Sequence, residues 1–73
     1  MSRIALLSSV ALIEDVPSHK LTKGQIGTVV EYLERGEEKA LLVEFADSQG
    51  RTLAIVDLKP DQLIVLHRES EAA

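Results

Sequence analysis

Apolar and polar positions alternate along this chain in short runs, and turn-forming residues separate the runs. Turn signals fall at Asp15-Val16-Pro17-Ser18, Lys23-Gly24, Arg35-Gly36-Glu37-Glu38, Asp47-Ser48-Gln49-Gly50 and Lys59-Pro60-Asp61. Between them lie stretches rich in Val, Ile, Leu and Thr. Strands alternating with turns about every 8–12 residues are the pattern of a small all-β domain. The predicted strands are Leu6–Ile13, Gln25–Glu34, Lys39–Ala46, Arg51–Asp57 and Leu63–His67, with a long loop from Glu14 to Lys23 after the first. In the third, Leu41, Val43 and Phe45 share one face and Leu42 and Glu44 the other. In the second, Val29, Glu31 and Leu33 alternate with Val30, Tyr32 and Glu34, so neither face is cleanly apolar.

A helix drawn over Leu33–Glu44 would be interrupted by Gly36, and Leu41–Phe45 reads better with period two. Pro60 has no amide proton for a ladder, so the segment around it reads as a short helical turn before the last strand. The reading is a small five-stranded SH3-like barrel over residues 1–67, in which closure removes the sheet edges. A polar tail, 68–73, is expected to fray. The expected core is Val10, Leu12, Val16, Leu21, Ile26, Val29, Leu41, Val43, Phe45, Leu58 and Leu63, with Val16 and Leu21 capping the barrel end.

Composition narrows the function. At 73 residues the chain makes one domain with one small core. It has no cysteine, which removes disulfides, zinc ribbons and thiol catalysis. A small secreted fold without disulfides is unusual, so the expected compartment is the cytoplasm, and no apolar run approaches the ~20 residues of a membrane-spanning helix. Net charge is −4, which argues against nucleic acid and acidic membranes. Aromatic residues are 3% of the chain, one Tyr and one Phe. That removes the aromatic grooves that hold polyproline and the cages that hold methyl-lysine.

No catalytic or metal constellation stands out. Gly24 and Gly27 precede a strand and open no helix, so they are not a dinucleotide fingerprint. Gly24 is expected to turn the chain and Gly27 to admit a close neighbour. The two histidines, His19 and His67, lack H-x-x-x-H or D-x-D companions; they read as a loop residue and a strand-end residue. Acidic pairs fall at turns, and a barrel this small has its interior filled by side chains. The expectation is no catalysis, no cofactor and no metal. Gly24–Val29 resembles the KOW motif of ribosomal and transcription-elongation proteins, which makes a KOW-like nucleic-acid-binding module the first alternative. Its loop is mixed in charge, however, and Tyr32 is its one candidate stacking face. A small-molecule sensor or enzyme accessory is a further rival.

Four stretches taken together are similar to a family of short bacterial proteins, domain of unknown function 4926. They are Val10–Pro17 (Val-Ala-Leu-Ile-Glu-Asp-Val-Pro), Leu21–Glu31 (Leu-Thr-Lys-Gly-Gln-Ile-Gly-Thr-Val-Val-Glu), Val43–Thr52 (Val-Glu-Phe-Ala-Asp-Ser-Gln-Gly-Arg-Thr) and Leu58–Leu63 (Leu-Lys-Pro-Asp-Gln-Leu). The resemblance covers Leu6 to Leu66. It implies a cytoplasmic protein and transfers no catalytic residues. It also hints at a binary complex with the product of a neighbouring gene, of toxin–antitoxin type. Family members usually carry a polar residue where this chain has Ile13, Arg-Pro where it has Ile64-Val65, and a polar or charged residue at Leu42. Extra apolar groups at outward positions call for a contact. The candidate interaction residues are therefore Ile13, Tyr32, Leu42, Ile64 and Val65, serving a protein partner or self-association.

Overall fold

The structure, a computed structural model, describes residues 4–66; His67 and the tail 68–73 lie outside them. Five strands form: β1 (Ser9–Leu12), β2 (Ile26–Arg35), β3 (Glu38–Ala46), β4 (Thr52–Leu58) and β5 (Leu63–Val65). All adjacent pairs are antiparallel, in the order β4-β3-β2-β1-β5. The expected closed barrel is not reached. Among the described residues β4 and β5 share no ladder, and the sheet keeps two edges.

The core nevertheless explains the barrel-like pattern. Val10, Val29, Val43 and Phe45 are fully buried, yet among the described residues no second sheet covers them and the helical turns are only three residues long. One sheet achieves this by twisting and curling until its concave face packs against itself. The buried cluster draws on all five strands: Val10 and Leu12, Val29, Leu41 with Val43 and Phe45, Val56 with Leu58, and Leu63. Leu21 joins it from the first loop, and Val16, half-buried, packs beside it.

Turn chemistry sets the register. Arg35 pairs with Glu38 across a two-residue loop whose first residue, Gly36, has φ +64°. That is the position where a type II′ hairpin turn needs a positive φ, and glycine adopts it without a Cβ clash. The long first loop folds through a 3-10 turn, Pro17–His19, closed by paired hydrogen bonds between the Val16 and Leu21 backbones (2.9 and 3.1 Å). His19 sits exposed on this turn, as expected. The helical turn before the last strand is present at Pro60–Gln62, where the Lys59 amide donates to Gln62 Oε1 (2.8 Å) and the Gln62 amide to the Lys59 carbonyl (2.9 Å).

Three expectations need correction. The first strand starts at Ser9 rather than Leu6, because Leu7 has φ +69° and the Ser8 amide donates to the Ala5 carbonyl, forming a turn. Ile26 is not core; it is exposed on the outer face. Val56, which the expected core omits, is buried, and it shares a face with Leu58 two residues on.

Candidate functional site

Facing residues in an antiparallel ladder share a face of the sheet. On β1, Val10 and Leu12 take the core side, which leaves Ser9 and Ala11 outside. Ala11 stands opposite Ile26 on β2 and opposite Ile64 on β5. Ile26 is 57% exposed and Ile64 54%. Just past β1, the Ile13 amide donates to the Gln62 carbonyl (3.1 Å), which holds exposed Ile13 beside the end of β5. At the other end the Leu66 amide donates to the Ser9 carbonyl (2.9 Å), placing Leu66 next to Ser9. Small side chains on β1 thus form a floor, and exposed Ile26, Ile64, Ile13 and Leu66 stand around it. These residues gather exposed apolar side chains on the outer side of β1, β2 and β5.

The five candidate residues divide. Ile13 and Ile64 come together on this face. Val65 faces Val10 and packs half-buried against the core. Tyr32 faces Leu41, is half-buried against the core, and donates its hydroxyl to the Ile4 carbonyl (2.6 Å). Leu42 lies apart, half-buried between Glu31 and Asp57 on the neighbouring strands. Ile26 and Leu66 are additions to the candidate set. Counting alternation back from Val29 through Gly27 puts Ile26 outside, and Leu66 follows Ile64 by the same period, so the signal is present in the chain.

The polar constellation with the clearest electrostatics is the β3–β4 turn. Asp47 Oδ1 accepts from the Arg51 and Gln49 amides (both 2.9 Å), and Oδ2 accepts from Arg51 Nε (3.0 Å). The Arg51 amide above all, with help from the Gln49 amide and the Arg51 guanidinium and against desolvation, holds the Asp47 carboxyl below its usual 3.8. A depressed carboxylate stabilises the fold above its unfolded pKa and loses that contribution as pH falls through the folded value. Asp47→Ala should therefore lower the urea midpoint at neutral pH and match wild type in strong acid. An equal deficit at both pH values would assign the loss to packing rather than charge.

Among the described residues no three of His, Cys, Asp or Glu gather closely enough to hold a metal ion. A shallow depression between β3 and the Pro60 turn is lined by Leu33, Lys39, Ala40, Asp57 and Lys59, whose charges are of mixed sign. No helix of the described residues is long and apolar enough to cross a membrane.

Fold and surface together define a small all-β domain: one curled five-stranded antiparallel sheet with a buried concave side and apolar residues on its outer side. The chain belongs to the family described as domain of unknown function 4926, whose model matches residues 6–65. No curated protein and no solved structure matches it.

Proposed function

We propose that this chain is a non-catalytic, cofactor-free protein-interaction module. Its contact surface is the outer face of β1, β2 and β5, centred on Ala11 and bounded by Ile13, Ile26, Ile64 and Leu66. The carrying observation is the register that sets exposed Ile26 and Ile64 on either side of Ala11. The strand order, the curled core and the turn before β5 support reading the sheet as SH3-like, opened at the β4 and β5 edges. The occupant is another protein or a second copy, with the product of a neighbouring gene as first candidate. Low aromatic content and net charge −4 weigh against the nucleic-acid alternative.

Burying an Ile side chain contributes about 1.5–3 kcal/mol, so Ile64→Arg should weaken the complex roughly ten- to hundredfold. Co-purification with the neighbouring gene product, and sedimentation of the chain alone, read this out at low and high salt. Apolar association persists as salt rises, whereas phosphate-mediated binding falls steeply. The reading fails if wild type associates with nothing, or if a complex forms that ignores Ile64→Arg.

A further inference from the structure

β2 outruns its neighbour. It is ten residues long and pairs with β1 only at Ile26–Thr28, while β3 follows it to Arg35. From Val30 to Arg35 its other side carries no ladder among the described residues. The chain ahead of β1 covers the start of that side. The Leu7 amide donates to the Val29 carbonyl (2.6 Å), and the Val29 amide to the Ser8 carbonyl (3.0 Å). Farther along β2, the Tyr32 hydroxyl donates to the Ile4 carbonyl (2.6 Å), and Ile4 packs half-buried against the core. Between these anchors the segment is thinly held. Ala5, Leu6 and Leu7 are exposed, Leu7 at 75%. Leu7 also has φ +69°, a left-handed conformation that a bulky residue resists because its Cβ crowds the following carbonyl. With most of its surface in solvent, Leu7 has little packing to offset that strain. Returning its φ to the negative range redirects the chain, so the strain is released only when an anchor lets go.

We propose that Ile4–Ser8 is a strained strap that guards the edge of β2 and opens by local unfolding while the rest of the sheet stays folded. The Tyr32 hydroxyl is its latch and Leu7 its spring. Closed, the strap satisfies the Val29 backbone and lays Ile4 beside Tyr32. Open, it frees the Val29 amide and carbonyl and extends the unpaired side of β2 to Val29–Arg35. A segment with few buried contacts and exposed backbone hydrogen bonds opens well below the free energy of global unfolding. β1 stays in place when the strap leaves, because Val10 and Leu12 are buried and the strand pairs on both sides. The ladder skips Val30 at the point where the strap ends its hold on β2. A bulge and a covering segment are two devices that keep a sheet edge from pairing with another chain, and here they lie side by side. The strap is the one of the two that can be removed and replaced. This device is separate from the Ile13–Ile64 face and does not rest on the function proposed above.

Native-state amide hydrogen exchange of the full chain, with urea added in small steps, tests this. The Leu7 and Val29 amides should exchange about tenfold or more faster than amides inside the β2–β3 ladder. Low urea should leave their rates nearly unchanged, because local opening exposes little surface. Three variants are read at the Val29 amide, whose own chain neighbours they leave intact. Tyr32→Phe keeps the ring and removes the latch, and should speed exchange there roughly three- to tenfold. Leu7→Asn, a residue that accepts the left-handed region, should slow exchange about threefold or more. Leu7→Val, β-branched and less tolerant of positive φ, should speed it. Position 7 is exposed, so both Leu7 variants should keep the wild-type circular dichroism. Leu7 and Val29 amides that exchange at the ladder's rate and with its urea dependence would show that the strap has no separate opening, and would overturn the proposal. Faster exchange in Leu7→Asn, or unchanged exchange in Leu7→Val or Tyr32→Phe, would overturn it too, since spring and latch would then lie elsewhere.

Discussion

Replacing Phe45 with alanine is expected to lower the melting temperature of the domain by tens of degrees. Phe45 is fully buried near the end of β3, facing Gly27 on β2 and Ala54 on β4. Those two neighbours are small, so the ring fills the space they leave, and no larger side chain can move in to close the hole. Phe→Ala substitutions in such sites cost about 3–5 kcal/mol. A domain of this length has a total stability of about 4–11 kcal/mol. At roughly 4–8 °C per kcal/mol, the melting temperature should fall by some 12–40 °C. Circular dichroism melts of wild type and variant check this. A variant that melts within a few degrees of wild type would show that the ring does not anchor the core.

The second large effect is expected at Gly27, where adding a single methyl should destabilise the fold. A Cβ built there would lie 2.8 Å from Val43 Cγ1, 2.9 Å from Phe45 Cδ2 and 2.9 Å from the Glu44 carbonyl oxygen. The two side chains are themselves fully buried and have nowhere to go. The carbonyl belongs to the β2–β3 ladder, where Thr28 pairs with Glu44. Gly→Ala normally gains about 0.4–1 kcal/mol by restricting the unfolded chain. Here overpacking of about 1–3 kcal/mol outweighs that gain. Gly27→Ala should therefore lower the urea midpoint, and Gly27→Val should lower it further. Adding Val43→Ala to Gly27→Ala removes one clash but leaves the backbone oxygen, so it should not restore stability. An unchanged midpoint for Gly27→Ala would mean that β2 and β3 are not held this closely.

Both effects are partly legible in the amino-acid sequence. Phe45 is the chain's one Phe, in its clearest alternating run, and Gly27 sits in a strand interior, where a glycine marks close approach. What approaches Gly27 is not legible there, because Val43 and Phe45 are sixteen or more residues away in sequence and meet it only through the β2–β3 register. Two register shifts explain the weakest readings. At Val30 the ladder skips from Val29 to Glu31, so residues before and after it follow different parities. This is why β2 shows no clean apolar face, and why Tyr32 lies on the core side. At Leu53 a second shift leaves Thr52 and Leu53 both exposed. Shifts of this kind come from pairing between strands, so single-strand periodicity shows at most a blurred face and not where the ladder skips.

The amino-acid pattern by itself determined the all-β class, the five strands, the helical turn at Pro60 and most of the core. These depend on local quantities: period-two alternation, the missing amide of proline and the permitted φ of glycine. The tertiary structure decided three further things. It left the sheet with edges instead of a closed barrel, since closure is settled by whether β4 and β5 meet, and a turn separates them in sequence without fixing where each one pairs. It moved Ile26 from the core to the outer face and gathered it with Ile13, Ile64 and Leu66 around Ala11, because a patch is built from residues on three strands. And it exposed β4 as a long, unblunted edge. An apolar strand reads the same in sequence whether it is paired on one side or on both, and only the strand order tells which.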